Sequence, residues 1–428
     1  MNERRIYLFV ATFTFVAFLF SCTQDVQTEF TDNSTELSVQ KSFFPEEPLT
    51  QSELIALAVE RKGTYLISES EASEKLARFA TSDGRSDAVE IESATLKVSP
   101  LTGKDLFYEI TFNSEKGKGF SLVSADERVP EVLFYTDFGS ISDTTFNKSL
   151  KFCLDLVSRY VEAQVKEDLD VTSLALSANK KLDGTQSRGP ACRAQIVEME
   201  NITNRLRLVP GGWHQNSPYN DNLPYVAGTS IRPPVGCAMI GVTQIMAYYK
   251  KYYNLFLPDV ATWNLAIANH LTSSTLHSLI YDVFMAMKLP APNEPTIYST
   301  PSTIEKARDF LNDHGFTAGA ITNYSFSGVW TALNPGPTFI CGWTGPGTAP
   351  GHGWVVDGAR IVTIEEYMIE DPPCFTITFM GSYDRNYLRF DWGWGPLGGN
   401  GWFSAGVFQA SSWDPNFNYD VKYINSIN

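Results

Sequence analysis

The sequence has few cysteines, few histidines and few positive charges for its length. It holds six cysteines and five histidines in 428 residues, with no Cys-x-x-Cys pair and no Cys/His cluster, so no zinc site is indicated. Its formal net charge is −15 and no basic patch is present, which argues against a nucleic acid partner. No phosphate-binding glycine loop appears either. We therefore expect neither a metal nor a cofactor.

The N-terminus has the features of an export signal. Two basic residues, Arg4 and Arg5, precede an apolar run from Ile6 to Phe20 that is too short to span a membrane. Cys22 follows a small residue, as in a bacterial lipoprotein, and is the predicted lipidation site. We expect residues 1–21 to be a lipoprotein signal peptide. The protein would then reach the outer membrane, at the cell surface or on the periplasmic face, with release of the mature domain as a further outcome.

Composition divides the rest of the chain into four parts. Residues 22–45 are polar and are expected to form a flexible tether, whereas 46–167 have a globular composition. Residues 168–200 lack strong periodicity and are predicted to be a processing linker ahead of a second globular part, 201–428. In the first globular part the patterns predict helices at Ser52–Glu60 and Phe146–Val165, and strands at Leu106–Phe112 and Gly119–Val123.

The most informative stretch runs from Pro233 to Tyr252. Two prolines and Gly236 are followed by a proline-free apolar run with two lysines near its end, which predicts a helix beginning at Cys237. A thiol at a helix N-terminus has its thiolate form favoured, so this cysteine is a candidate nucleophile with a lowered pKa. A buried free cysteine that packs in the core is the alternative reading.

A base for this thiol is found in the segment from Pro350 to Gly358. The glycines on both sides of His352 free the backbone there, and Gly353 to Asp357 is β-branched and aromatic, which predicts a strand with His352 at its open end. A cysteine on a helix start that faces a histidine on a strand end is the arrangement of papain-type hydrolases.

Four motifs occur in an order that resembles the streptopain (C10) family of secreted cysteine peptidases, over most of residues 200–428. They are Trp213–Asn220, Gly236-Cys237-Ala238 with Gln244-Ile245-Met246, Gly351-His352-Gly353 with Asp357-Gly358, and Asp391–Gly395 with Asn400–Phe403. The resemblance implies that Cys237 is the nucleophile, His352 the base and acid, and Gln215 an oxyanion donor beside the Cys237 amide. The stretch from Phe107 to Leu133 resembles the propeptide of this family, which implies an intramolecular inhibitor.

The tryptophan motif departs from the family in one residue. Asp391 stands where the family usually has asparagine, and the resemblance implies that it orients the imidazole, with a shifted pH profile. Trp392 and Trp394 would shield that contact, although Trp394 also fits a core role. Gly351 is expected to line the substrate side. Extra residues at 364–382 predict an inserted hairpin or loop near the site that could control substrate access.

The remaining patterns complete an α+β fold. Helices are predicted at Thr303–His314 and Gly328–Leu333, and a strand at Gly336–Trp343. Together these favour a papain-like two-lobed domain, with helices against an antiparallel sheet, preceded by a small α+β propeptide domain.

Three functions remain open from the sequence. The first is a membrane-anchored zymogen of an endopeptidase that acts on protein or peptide substrates. The second is a cysteine amidase or transferase, which the propeptide-like stretch and the tryptophan motif disfavour. The third is a catalytically inactive surface lipoprotein, an adhesin or inhibitor that retains the peptidase fold.

Overall fold

Helices packed against one large antiparallel sheet make up the structure, a computed structural model. It describes residues 65–81, 89–99, 102–115, 117–142, 150–151, 154–165, 194–252, 255–256, 274–291, 293–343, 351–370, 377–395, 399–408 and 419–428. The expected signal peptide, the tether, the predicted helix at Ser52–Glu60 and most of the predicted linker lie outside these residues. None of the described helices is long and apolar enough to cross a membrane.

The first domain packs one helix and a helical segment against four strands. Helix α1 begins after a capping box, in which Ser68 Oγ accepts from the Glu71 amide at 3.2 Å and the Ser68 amide donates to the Glu71 carboxylate at 2.7 Å. Its apolar side chains recur on one face, which is buried. The predicted hairpin and C-terminal helix are confirmed in their described residues. The elements are α1 Glu69–Thr81, β1 Glu90–Val98, β2 Asp105–Ser114, β3 Gly117–Ser124, β4 Val132–Thr136 and the helical residues 150–151 and 154–165.

The second part supplies the remaining helices and strands. The predicted helices near residues 303–314 and 328–333 are confirmed, and Thr303 caps the former by accepting from the Lys306 amide. The elements are β5 Ala194–Leu206, α2 Cys237–Tyr248, β6 Lys251–Tyr252, β7 Leu255–Phe256, α3 Ser274–Met287, α4 Ile304–Asp313, β8 Ile321–Asn323, α5 Phe326–Ala332, β9 Thr338–Trp343, β10 Gly351–Glu370, β11 Ile377–Asp391, β12 Gly401–Ser404, a 3₁₀ turn Ala405–Phe408 and β13 Tyr419–Ile424.

One eleven-stranded sheet joins the two parts. Its order is β1-β2-β3-β4-β12-β11-β10-β9-β13-β8, and β5 pairs with β10 beside this path. The two parts meet where β4 pairs with β12, through Tyr135 opposite Trp402 and Phe134 opposite Phe403. The predicted α+β class, with helices against an antiparallel sheet, is confirmed.

Helix α2 is the centre of the second part. Every residue from Ala238 to Ala247 is buried, because the helix lies between the sheet and helices α3 and α4. The helix starts at Cys237 as predicted but ends at Tyr248, earlier than the sequence pattern suggested. Lys250 has a positive φ of 53° and so breaks the helical path. The two lysines expected in its last turns therefore lie beyond its end.

The described residues of the insertion, 364–370 and 377–382, form the outer part of the long β10–β11 hairpin. Register runs from Val355 opposite Asp391 at the base to Ile369 opposite Ile377 near the tip. At about 3.3 Å per residue, the outer part lies tens of ångströms along the strand from His352. The hairpin prediction is therefore confirmed, but its predicted position near the site is wrong.

Strand β5 also corrects the predicted linker. The sequence pattern predicts an irregular segment at residues 194–200, yet these residues pair in continuous register with β10, with Ala194 opposite Glu370. The pairing partner lies more than 150 residues later in the chain, so local periodicity gave no sign of it. The end of the predicted linker is thus a sheet strand.

Candidate active site

The Cys237 thiol lies at the first residue of α2. Gly236 precedes it with a φ of 101°, and a Cβ at that position would lie 2.9 Å from the Thr300 carbonyl oxygen, so only glycine fits. No side chain caps the helix start, which leaves its first amides free to face the sulfur. The Gly353 amide donates to Cys237 Sγ at 3.4 Å. The start of strand β10 and the start of helix α2 therefore meet at the Cys237 sulfur.

His352 is the second residue of β10, one residue before the amide that contacts the thiol. It is buried, and its Nε2 lies 3.1 Å from the Trp392 carbonyl oxygen. Its ring is surrounded by indoles, with centroid distances of 4.3 Å to Trp394, 5.7 Å to Trp392 and 6.0 Å to Trp354. An apolar box thus fixes the ring plane, and the Trp392 carbonyl fixes one ring nitrogen.

Burial keeps both reactive groups neutral in this state. It raises the pKa of Cys237, although the amides of Gly353, Ala238 and Cys237 oppose this. Burial also lowers the pKa of His352 to about 3, against the Trp392 carbonyl. The lowered thiol pKa expected from the helix N-terminus is therefore wrong for this state, because desolvation outweighs the helix amides. The arrangement is that of an uncharged cysteine–histidine site, in which Cys237 itself is partly exposed.

Asp391 differs from its expected role. Its carboxylate accepts from the Gly393 amide at 3.0 Å and from Asn400 Nδ2 at 3.0 Å, whereas the imidazole Nε2 contacts the neighbouring Trp392 carbonyl. Burial raises the pKa of Asp391 to about 6, against hydrogen bonds from Gln244 and Gly393. The carboxylate thus holds the turn that carries the histidine's acceptor. It acts on His352 through the position of the backbone that carries the Trp392 carbonyl.

The segment that contains Gln215 is tied to both halves of the site. The Gln215 carbonyl accepts from the Val235 amide at 2.7 Å, two residues before Cys237. The Trp213 carbonyl accepts from the Gly395 amide at 2.9 Å, which links the same segment to the tryptophan motif. All four motifs that the sequence singled out therefore converge on one place.

Two residues predicted to shield the site, Trp394 and Gly351, lie beside it. Trp394 is partly buried and stacks on Trp392 with an interplanar angle of 7°, so it both packs the core and covers His352. Gly351 is exposed at the start of β10, where a Cβ would lie 2.7 Å from Trp343 Nε1. Its small size keeps the strand close to that indole.

Sequence reasoning did not assign two groups that the structure places here. They are the Gly353 amide on the thiol and Asn400, whose Oδ1 accepts from the Trp392 amide at 2.8 Å while its Nδ2 donates to Asp391. An asparagine nine residues after the aspartate, in a glycine-rich turn, is the only sequence signal for the second. The amide group of Asn400 therefore fixes both the Trp392 backbone and the Asp391 carboxylate.

The described residues contain no group of three or more His, Cys, Asp or Glu side chains placed to hold a metal ion. A cavity of about 610 Å³ lies beside the segment that leads to Cys237. Pro233, Tyr225 and Tyr298 line it, and Thr300 Oγ1 holds the same segment by donating to the Pro234 carbonyl.

Comparisons with known proteins agree with the predicted resemblance. Residues 65–161 match the family model of the Spi protease inhibitor, the domain type that forms the propeptide of C10 peptidases. Among solved structures, the chain is similar to a mutant fragment of prointerpain A from Prevotella intermedia, at 16% identity over 78% of this chain and 98% of that chain, with a TM-score of 0.42. It is also similar to the active wild-type interpain A cysteine protease of that organism, at 16% identity over 52% of this chain and 94% of that chain, with a TM-score of 0.31.

No curated protein sequence matches the chain. TM-scores below 0.5 add nothing to the geometry of the site, but the family-model match places an inhibitor-type domain at the N-terminal end of the described residues. This match agrees with the resemblance of Phe107–Leu133 to the propeptide of C10 peptidases that the sequence predicts.

Proposed function

We propose that this chain is the latent form of a papain-like cysteine endopeptidase that hydrolyses peptide bonds in protein or peptide substrates. One observation carries the proposal: the Cys237 thiol starts a buried helix, receives the Gly353 amide on its sulfur, and lies beside the strand end that holds His352. The match of residues 65–161 to an inhibitor family supports the latent state.

The reaction follows from these groups. In the open enzyme, the imidazole of His352 takes the thiol proton, and the thiolate attacks the substrate carbonyl carbon. The Cys237 amide and the Gln215 side chain donate to the oxyanion, and loss of one such donor typically costs about 10²–10³ in rate. The imidazolium then protonates the leaving amine. Water, deprotonated by the same imidazole, releases the acid from the acyl-thioenzyme and restores the thiol.

The reactive pair must become charged before the reaction starts. A neutral thiol and a neutral imidazole are stable where solvent is excluded, and a thiolate–imidazolium pair requires that burial to be relieved. Because residues 65–161 match an inhibitor family, their removal is the proposed activating event, with residues 166–193 as the segment that is cut.

The direct test compares peptide hydrolysis before and after removal of residues 65–161, the inhibitor-like domain. A reduced sample of the chain from about residue 23 is treated with a sequence-specific protease whose site has been inserted in 166–193, and the two parts are separated. Hydrolysis of an unfolded protein by the C-terminal part, with little by the intact chain, supports the proposal. Equal lack of hydrolysis by both would support the inactive-lipoprotein reading.

Asp391→Asn is expected to change the pH profile of the released enzyme. Because the pKa of Asp391 is raised to about 6, its negative charge appears as pH rises through that value and then favours the imidazolium of His352. The kcat/KM of the native enzyme should rise through a step near pH 6, and the asparagine variant should lack that step. Superimposable pH profiles would show that the Asp391 charge has no influence on the reaction.

We also propose that the chain is exported and held to a membrane through lipid on Cys22. The support is the basic start, the short apolar run and the small residue before the cysteine. Cells grown with an alkyne-labelled fatty acid should incorporate the label into the native protein and not into a Cys22→Ala variant. Label in both forms would remove Cys22 as the site.

A further inference from the structure

Two arginines of the second part project into the inhibitor-like domain. Arg360 lies on β10 and Arg385 on β11, and both side chains are buried, at 0% and 7% exposure. Val362 lies opposite Arg385 in the register and Tyr387 lies opposite Arg360, so the arginines are diagonal neighbours on one face of the hairpin. Buried arginines are rare unless their charge is balanced. Each of the two therefore needs a partner that balances its charge.

Arg385 binds a carboxylate of the inhibitor-like domain. Its Nη1 lies 2.8 Å from Glu131 Oε1, which also contacts Lys75 of helix α1. Burial opposes ionisation of Glu131, but the charges of Arg385 and Lys75 outweigh it and lower its pKa to about 2. Glu131 is therefore charged at physiological pH. It holds together a cation from its own domain and one from the other part.

Arg360 binds the end of helix α1. Its guanidinium lies between the rings of Phe79 and Trp402, at 4.2 and 4.5 Å, and its Nη1 donates to the Phe79 carbonyl oxygen at 3.1 Å. That carbonyl is one of the last in α1, where intrahelical partners run out and a positive charge is favoured. Nε donates to Asn204 Oδ1 on β5 at 2.9 Å, which fixes the guanidinium plane.

An apolar core and shared strands surround these two contacts. Phe79, Ile110 and Phe112 of the inhibitor-like domain form one buried cluster with Val362 and Tyr387. Strand β4 pairs with β12 at its edge. A Cβ on Gly401 of β12 would lie 2.1 Å from the Tyr135 carbonyl oxygen, so the two backbones approach closely there. The two arginines thus lie inside a closely packed interface.

We propose that Arg360 and Arg385 form an arginine clamp that keeps the inhibitor-like domain, residues 65–161, bound to the second part after the connecting chain has been cut. The contacts of the clamp are made by residues on either side of 166–193, so a cut there leaves them in place. Cutting and activation are then separate steps, and the cut protein stays latent until the inhibitor-like domain dissociates or is degraded. The inference rests on the proposed function only in calling this domain inhibitory.

The buried contacts predict that the affinity between the two parts depends strongly on the charge of Glu131. Removal of one partner from a buried, hydrogen-bonded ion pair leaves the other charge without compensation. Glu131→Gln keeps the shape of the side chain but removes the charge that Arg385 and Lys75 share. We expect it to weaken association of the two parts by at least about 100-fold.

The test measures binding in a chain that cannot cleave itself. A Cys237→Ala variant with a sequence-specific protease site in 166–193 is cut, and the two parts are followed by gel filtration and by titration calorimetry after separation. The native interface should co-elute after the cut, and Glu131→Gln should separate. Arg308→Met is the matched control, because Arg308 pairs with Asp309 on an exposed helix face and should leave affinity unchanged.

Second variants keep the test decisive if one fails to fold. Thermal unfolding of the uncut chain reports folding, and Arg385→Met and Arg360→Lys probe the clamp from the other side. Glu131→Gln combined with Arg385→Met should cost less than the sum of the single changes, because both remove one interaction. Separation of the native parts on cutting, or equal affinity for Glu131→Gln, would overturn the clamp. Binding as expected with no hydrolysis by the released second part would leave the clamp standing and refute the proposed function.

Discussion

Replacement of Cys237 by alanine is expected to abolish peptide hydrolysis by the released enzyme, with kcat/KM lowered by at least about 10⁴-fold. The sulfur forms the covalent bond in the proposed reaction, and no other described group lies at the helix start to replace it. The change removes one atom from a partly exposed residue and leaves Gly236, with its positive φ, in place. Circular dichroism should therefore show an unchanged fold.

Cys341 provides a matched control for that variant. It is also a free cysteine and is buried, on strand β9 opposite Gly353. Burial raises its pKa to about 12, so it is an unreactive thiol. Cys341→Ala should keep kcat/KM within about tenfold of the native value. Hydrolysis by the Cys237→Ala variant at the native rate would show that Cys237 does not take part in the reaction.

Replacement of His352 by alanine is expected to lower kcat/KM by about 10²–10⁴-fold, the range for loss of a general base and acid. The Trp392 carbonyl and three indole rings hold this imidazole in one orientation, so the variant loses a base that is already fixed in place. Raising the pH should partly restore the rate of the variant, because the thiolate then forms without the base.

His314 is the control for this prediction. It caps the C-terminal end of helix α4, stacks on Phe310, and its Nδ1 donates to the Phe310 carbonyl oxygen at 2.7 Å. His314→Ala should reduce thermal stability slightly and leave kcat/KM near the native value. A His352→Ala enzyme with native rate at neutral pH would show that the imidazole does not take part in the reaction.

The sequence was sufficient for elements whose signals are local. Two prolines and Gly236 marked the start of helix α2, and glycines around His352 marked the start of β10. The helix predicted at Thr303–His314 corresponds to helix α4, which Thr303 caps. Each of these signals lies within a few residues of the element it defines, so neighbouring residues were enough to predict where the element starts.

Features that depend on residues far away in the chain could not be predicted from the sequence. Strand β5 exists because β10 pairs with it, and the pKa of Cys237 depends on what covers the site. Arg360 and Arg385 look like ordinary polar strand residues until Phe79 and Glu131 are placed against them, more than 250 residues earlier in the chain. Such partners follow from sheet register, which no local pattern contains.

The central claim is that Cys237 becomes an activated nucleophile when the inhibitor-like domain leaves. The most direct measurement is alkylation by a peptidyl epoxide under reducing conditions, with adducts mapped by mass spectrometry in the intact chain and in the separated second part. The account predicts slow labelling in the intact chain, and rapid labelling of Cys237 in preference to Cys341 after separation. Equal, slow labelling of every free thiol in both samples would contradict it.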